Sequence, residues 1–417
     1  MIDHSYTWLV AMSSQLIDGV KRRCQTEAGR RTYPPDFPLL APVPAGRYFD
    51  PAFAKLEAAA VFSRSWLFVA HADQLRNPGD YLLLDQLDKP VMLIRGRDNL
   101  IRAFYNTCRH RGAALLEEPQ GNAGRRLTCP FHAWTYSLEG KLVGFPESSN
   151  FAGLDPGCHG LAEVRCESWG PLVFVNLDSG AGPLSAFLGS VGEDLSDFAE
   201  LDGRLHLVTR TVRDVPVNWK LPVDANLETY HVNYVHRASA ARALQQSATG
   251  IQLLGKGHSR MLVSYRDGID GESLSPFPCV FPGLGDLPFR GTFSYHVFPN
   301  LSIVFNGTGF VFLITNWPTG PSTSTYCVHW CSSLDADANR ETHDAVIAVL
   351  SQVLFEDLDV LPGAQRSLDA GALESLRLGY HERRIYYLHE AIDRAIGVEN
   401  IPETLRVPEL LGPDAAD

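Results

Sequence analysis

Cys108-Arg109-His110-Arg111-Gly112 and Cys129-Pro130-Phe131-His132-Ala133-Trp134-Thr135-Tyr136 decide how this chain is read. Eighteen residues separate His110 from Cys129, so the four ligand-type side chains form a C-x-H … C-x-x-H frame. Two thiolates on one iron and two neutral imidazoles on the other are what a mixed-ligand [2Fe–2S] centre needs, and the imidazoles raise its reduction potential. Zinc is satisfied by the same four side chains, so the frame alone leaves both readings open and the rest of the chain must separate them.

With 417 residues the chain has room for two to three domains. It is 45% apolar and 20% charged, a globular balance. The net charge of −12 argues against a nucleic-acid partner, because the doublets Lys21-Arg22-Arg23 and Arg30-Arg31 are too small to form a basic stripe. Eight cysteines in this length do not form a disulfide framework, and Cys108 and Cys129 are needed as thiolates. The start, Met1-Ile2-Asp3-His4, carries acid where a signal peptide carries positive charge. No apolar run is long enough to span a bilayer. These features set the expectation of a cytoplasmic protein with no membrane partner.

Outward from the fingers, the residues from Trp66 to Asn176 alternate in short runs with turns between them, such as Tyr81–Leu84, Val91–Ile94 and Leu172–Val175. That spacing predicts a small antiparallel β domain with both fingers at hairpin tips. Before it lie an amphipathic helix carrying Leu16, Ile17 and Val20, a proline-punctuated linker at 33–46 and a helical pattern over 51–65. After it come a helix over 183–200, a strand over 206–217, a broken helical segment over 218–244 and several strands within 250–331. Helices near 338–360 and 372–396 close the chain. Strands first and helices later give an α+β class. The expected domains are an N-terminal helical arm (1–44), a cluster domain (45–170) and a catalytic domain (171–417).

A second constellation is Glu228-Thr-Tyr-His231-Val-Asn-Tyr-Val-His236. Glu228 and His231 share one face of a helix. On a regular helix His231 and His236 diverge by roughly 140°, so a shared metal requires a break or a π-type bulge between them. Alone, the spacing fits two unrelated histidines on a polar helix. It is preceded, however, by Asn218-Trp219-Lys220 and Asp224.

The two fingers, with their Cys-Arg-His-Arg-Gly and Cys-Pro-Phe-His-Ala-Trp-Thr-Tyr flanks, resemble those of a Rieske protein. Together with Asn-Trp-Lys … Glu-x-x-His-x-x-x-x-His, they resemble the α subunit of the Rieske non-haem iron oxygenases, the ring-hydroxylating oxygenase family. The resemblance spans nearly the whole chain in the expected order. It implies a Rieske [2Fe–2S] cluster on Cys108, His110, Cys129 and His132, and a helix-grip (START/Bet v 1-like) catalytic domain with a curved antiparallel sheet and C-terminal helices. It also implies a mononuclear Fe(II) on His231, His236 and a carboxylate from the stretch Phe355-Glu356-Asp357-Leu358-Asp359. Asp357 takes the ligand's place, with Glu356 and Asp359 as surface acids on the same helix. Pro362-Gly363 should end or kink that helix just beyond the ligand. Glu228 becomes a bridging carboxylate between His231 and the Rieske ligand His132 of a neighbouring subunit, which implies a homotrimer with the possibility of a small β subunit.

Cys327, His329 and Cys331 alternate on one strand face and span too far for one ion, so packing is expected there. Cys158, His159 and Cys166 lack the finger frame. No phosphate loop or dinucleotide fingerprint is present, so electrons are expected from a separate reductase or ferredoxin. The implied activity is that of a terminal oxygenase using O2 to hydroxylate or oxidatively dealkylate a small aromatic or apolar substrate. The alternatives are a cis-dihydroxylating arene dioxygenase large subunit, or a Rieske electron carrier without oxygenase chemistry. Phe293, Tyr295, Phe298, Phe305, Phe310 and Phe312 are candidates to line the pocket.

Overall fold

The computed structural model describes residues 4–196, 205–274, 284–334 and 337–413. The chain forms two compact units, Phe62–Leu184 and Met1–Val61 with Ser185–Asp417.

The smaller unit is antiparallel β throughout its described strands. One sheet runs in the order Leu67–His71, Leu172–Asn176, Glu163–Trp169, Ile101–Tyr105, Val91–Arg95, Asp80–Leu83, Gln120–Asn122. A second sheet joins Arg126–Thr128, Thr135–Ser137 and Leu142–Gly144. Leu172–Asn176 and Leu67–His71 are buried at every position, which is why they read as continuous apolar runs rather than alternating ones. Each finger follows or opens one of these strands, so the ligand loops are anchored at their bases.

The larger unit is built on one curled antiparallel sheet. Its order is His206–Val215, Thr323–Ser332, Val311–Gly320, Leu301–Phe305, Gly291–Val297, Ser259–Tyr265, Leu244–Leu253. One face packs on the helix Arg340–Asp369 through Val304, Phe312, Ile314, Val328, Trp330 and Leu358. The α+β expectation and the helix-on-curved-sheet architecture hold. The N-terminal helix His4–Gly29 lies against Leu244–Leu253. Gly250 makes that approach possible: a Cβ there would meet the Cys24 sulfur at 2.8 Å.

Four helical expectations change. The helix expected over 183–200 is two short ones, Leu184–Leu188 and Ser190–Asp194, separated by Gly189 at φ 49°, ψ −128°; its end at 197–200 lies outside the described residues. The pattern over 51–65 is an α-helix, Pro51–Leu56, that loosens into a π turn over Glu57–Phe62. The final helix begins at Arg383 rather than near 372. The helix carrying Asp357 does not end at Pro362 but continues to Asp369.

Proline in a helix interior costs about 3 kcal/mol, so the segment beyond Pro362 must be held from outside. Gln365 does this. Its Nε2 donates to the Tyr48 carbonyl (3.2 Å), Ser322 Oγ (3.2 Å) and Asp369 Oδ1 (2.8 Å), and its Oε1 accepts from the Asn218 amide (2.8 Å). Leu358 and Leu368 bury their side chains on either side of the proline.

Candidate metal centres

The fingers fold as two copies of one loop. The Cys108 amide donates to the Ala113 carbonyl at 2.8 Å, and the Gly112 amide returns to the Cys108 carbonyl at 3.0 Å. In the second finger the Cys129 amide donates to Trp134 at 2.8 Å and the Ala133 amide returns to Cys129 at 3.0 Å. The fourth residue after each cysteine is left-handed: Gly112 at φ 80° and Ala133 at φ 56°. For alanine that region costs of order 1 kcal/mol, so the second finger accepts strain to match the first.

This loop buries Cys108 and Cys129 with their thiols in hydrogen-bonding reach of each other. The imidazoles of His110 and His132 meet edge to face, 4.7 Å apart. The Nδ1 atoms of both are buried without a hydrogen-bond partner. Two buried thiols and two orphaned imidazole nitrogens are a poor arrangement for an empty protein, because an unmet buried polar atom costs about 1–3 kcal/mol. They are the donor set that a [2Fe–2S] group with Cys2His2 ligation takes. Around it, Trp134 stacks on His110 at 4.9 Å and 4°. The Tyr136 hydroxyl accepts from the Arg109 amide (3.0 Å), so its proton is directed to Cys108 Sγ at 3.3 Å. Arg111 approaches His132 Nε2 at 3.0 Å and lies over the exposed Phe131 ring.

In the larger unit the segment 218–244 breaks where the shared-metal argument required it. Helix Lys220–Leu227 ends at Glu228, which is extended at φ −136°, ψ 178°. A four-residue helix, Val232–Val235, then starts from His231 and ends at His236. The break is a turn and not a π bulge, and Glu228 meets His231 from the end of a helix rather than along one face. Through this turn, His231 Nε2 and His236 Nε2 lie 3.2 Å apart, and Asp357 Oδ1 is 3.5 Å and 3.1 Å from them. Ligands about 2.1 Å from one centre at near-right angles would stand roughly 3.0 Å apart, so the triangle suits a two-histidine, one-carboxylate site. Among the described residues it is the group of three such side chains that converges as for a single ion.

Each imidazole is oriented by a carboxylate on its other nitrogen. Glu228 Oε1 accepts from His231 Nδ1 while Glu228 Oε2 accepts from the Tyr230 amide. Glu356 Oε2 accepts from His236 Nδ1 at 2.8 Å and from Ser239 Oγ at 2.5 Å. Both bonds fix the tautomer with its lone pair on Nε2. Burial works against a charged ring at both histidines, yet the carboxylates prevail and hold each pKa above that of a free histidine. For His231 these are Glu228 and Asp357; for His236, Asp357 and Glu356.

Three acids were candidates on the Asp357 helix, and their surroundings separate them. Asp359 is exposed and pairs with Arg213 at 2.9 Å. Glu356, expected as a surface acid, is instead the partner of His236. The sequence carried a signal for it, its position next to the ligand and one step back around the helix. Cys327, His329 and Cys331 are buried within the sheet on one strand face. Cys158 is exposed and Cys166 half-buried.

The aromatic candidates divide by strand register. Phe310 and Phe312 join the core beneath the Asp357 helix. Phe293 and Phe305, directly opposed across two strands, point to the other face together with Tyr295. The site's face of Gly291–Val297 carries Ser294 and His296 instead.

Behind Glu228 runs a buried relay. Arg47 Nε donates to His389 Nδ1 (3.0 Å), His389 Nε2 to the Tyr48 hydroxyl (2.8 Å), and Tyr48 to Asp224 Oδ2 (2.7 Å). Burial pushes Asp224 up to about 7; its bond from Tyr48 and the charge of Lys220 pull it down, while Glu382 and Glu228 push it further up. Lys220 pairs with Glu57 of the π turn at 2.7 Å.

Two families match the chain. "Rieske [2Fe-2S] domain" covers residues 65–164, and "Ring hydroxylating alpha subunit (catalytic domain)" covers residues 201–397. Carnitine monooxygenase oxygenase subunit from Escherichia coli K12 is 37% identical over 194 residues, 46% of this chain and 52% of that one. The matched stretch thus spans about half the length of that relative. The α subunit of 2-aminobenzenesulfonate 2,3-dioxygenase from Alcaligenes sp. is 31% identical over 63% of this chain and 67% of its own. Among solved structures, a quaternary ammonium Rieske monooxygenase superposes with a TM-score of 0.72 at 24% identity, covering 88% of this chain and 99% of that one. Naphthalene 1,2-dioxygenase from Rhodococcus sp. gives 0.72 at 21%, covering 93% and 99%.

Two outcomes follow from these contacts. Glu356→Gln keeps an acceptor but not the charge, so Fe(II) titration of the anaerobic apoprotein should show affinity lowered about tenfold, and Glu356→Ala up to a hundredfold; Asp359→Asn should leave it unchanged. Asp224 has a folded pKa raised from an unfolded value of about 3.9, so the cost of its charge appears as pH rises from about 4 and is complete above about 7. Asp224→Asn removes that cost. Its urea midpoint should exceed the parent's at pH 8, by about 1–4 kcal/mol in stability, with the gap narrowing at pH 5.

Proposed function

The chain belongs to the Rieske-type ring-hydroxylating oxygenase α-subunit family, and on that footing we propose that it is the terminal oxygenase of a multicomponent system. A separate reductase or ferredoxin supplies its electrons, and a small-molecule C–H bond is hydroxylated or oxidatively dealkylated. The observation that carries this reading is the meeting of His231, His236 and Asp357, with Glu228 and Glu356 on the outer nitrogens. An electron carrier has no use for that set.

When bound, the cluster and the iron supply one-electron delivery and O2 activation. In the overall reaction, substrate C–H and O2, with a pair of electrons and a pair of protons, become an alcohol and water. Cys108, His110, Cys129 and His132 would hold the cluster, with Tyr136 donating to the Cys108 sulfur and so favouring the reduced state. His231, His236 and Asp357 would hold the iron on one side, leaving the other free for O2 and substrate.

Glu228 is proposed as the link between the centres of neighbouring copies. One of its oxygens is committed to His231 Nδ1, and a partner's His132 is the second imidazole it would serve. Exposed aromatic surface beside each centre supports such a contact. Tyr230 and Tyr234 are 59% and 74% exposed next to Glu228, and Phe131 is 58% exposed next to His132. Head-to-tail copies that cover both surfaces close into a trimer. No helix among the described residues is long and apolar enough to cross a membrane.

Purified protein should be brown, show the EPR signature of a histidine-ligated cluster, and hold about three irons per chain. His231→Ala should lose one of them and keep the cluster signal. Two irons in the parent, unchanged in His231→Ala, would support the carrier instead. Glu228→Gln should retain both metals while single-turnover oxidation of the iron-loaded, cluster-reduced protein slows roughly tenfold to a hundredfold. Turnover across a panel of aromatic acids, amines and N-methyl compounds identifies the substrate class.

A further inference from the structure

The larger unit buries four cations among its described residues: Arg47, Lys220, Arg383 and Arg384. Three have compensation. Arg47 reaches Asp393 at 2.7 Å and Lys220 reaches Glu57 at 2.7 Å. Arg383 donates to two carbonyls, lies on the Tyr380 ring at 4.0 Å, and acts on the Glu27 carboxylate.

Arg384 is different. Its Nε donates to Ser259 Oγ at 2.9 Å, and its Nη1 has no acceptor. Among the described residues no carboxylate pairs with it, and burial together with the like charge of Arg383 lowers its pKa to about 9. A buried guanidinium without an anion costs several kcal/mol, and a fold that retains one has a use for it.

Its place in the sheet says what the use is. Cross-strand pairing carries one face through Ser259, His296, Ser302, Ile314 and Val328, and through Met261, Ser294, Val304, Phe312 and Trp330. On one flank Val304, Phe312 and Ile314 pack with Leu358, the residue after Asp357. On the other, Met261 packs with Tyr387 and with Val232, the residue after His231. Arg384, Ser259, Ser294 and His296 therefore occupy the face of the sheet between the two segments that bring the iron ligands together. Ser294 Oγ is also buried without a partner. Both ring nitrogens of His296 are buried, and burial with the charges of Arg384 and His258 lowers its pKa against the pull of the Pro299 backbone, so the neutral ring carries one N–H.

We propose that Arg384, with Ser259, Ser294 and His296, is the oxyanion-binding end of the substrate pocket, and that the substrate is an organic acid bearing a carboxylate or sulfonate. This rests on the oxygenase reading above and names the substrate class of that site. A carboxylate or sulfonate supplies what the cluster lacks, several acceptor lone pairs and a negative charge. A guanidinium takes such groups through paired N–H bonds. A neutral hydrocarbon would leave Arg384 as costly as it is when empty.

The test uses the metal-loaded protein and pairs of near-isosteric probes, benzoate against benzamide and acetate against acetamide, titrated by thermal shift. At least one acid should stabilise the protein at a concentration at least tenfold below its amide. Arg384→Met should abolish that preference, and Arg384→Lys should keep it in weakened form. Ser294→Ala should weaken it as well, and serves where the Met variant does not fold. The proposal is overturned if no acid is preferred over its amide, which would make Arg384 a residue satisfied by internal water. It is equally overturned if Arg384→Met keeps the preference, which would place the acid on the iron. EPR and iron content of the same samples keep the two readings apart: loss of acid preference with both signals intact sinks this inference alone.

Discussion

Everything in the larger unit answers to one constraint: ligand atoms of His231 and His236 and that of Asp357, more than 120 residues further along the chain, must stand within 3.1–3.5 Å of one another. Coulomb repulsion and steric contact both oppose that triangle in the absence of a cation, so the scaffold has to impose it. Glu228 and Glu356 turn the two imidazoles inward. Gln365 and the buried leucines keep the Asp357 helix running past a proline that would otherwise release it. The pair Lys220–Glu57 and the relay Arg47–His389–Tyr48–Asp224 tie the short helix before Glu228 to the N-terminal segment and the last helix. These supports are buried ion pairs and hydrogen bonds, and removing one member of such an ion pair leaves the other's charge unmet.

The parts of this that were legible in the sequence are those where chemistry restricts residue type. Cysteine, histidine and carboxylates are the side chains suited to these metals, so Cys108, His110, Cys129 and His132 stand out by spacing, whereas His231 and His236 needed the preceding Asn218-Trp219-Lys220 and the family resemblance, with their five-residue separation already demanding a break in the helix. Asp357 was distinguishable from its neighbours only by resemblance. Local geometry was less legible. A left-handed Ala133 is invisible in a sequence, because nothing about alanine announces φ above zero; it follows from the second finger copying the hydrogen bonds of the first. Pro362 misled for the opposite reason, since its intrinsic cost is real and Gln365, which offsets it, acts through partners at Tyr48, Asn218 and Ser322. Glu356 was hidden by its type: a glutamate on an amphipathic helix is usually solvated.

The fingers and the iron triangle share one design in which protein groups satisfy the outer atoms of each ligand and leave the inner atoms unmet. At the iron triangle, Nδ1 is bonded and Nε2 is left for the metal. At the fingers the Nδ1 atoms of His110 and His132 are the unmet ones, while Trp134 stacks on the face of His110 and Arg111 approaches Nε2 of His132. In this fold, orphaned atoms that converge mark where a ligand belongs.

That rule separates Arg384 from the buried network a few turns along its own helix. His389 and Asp393 sit on the same helix, yet each is engaged with Arg47 or Tyr48, and the charges there cancel within the protein. Arg384 and Ser294 point to a common face and cancel nothing. A helix that could bury Arg47 against Asp393 had the means to pair Arg384 in the same way, for instance through an acid at Ser259 or Ser294. Serines stand there instead, which offer hydrogen bonds and no charge. Short hydroxyls around an uncompensated guanidinium keep it solvated enough to fold and positive enough to attract an acid, which is the compromise a binding site requires and a structural salt bridge does not.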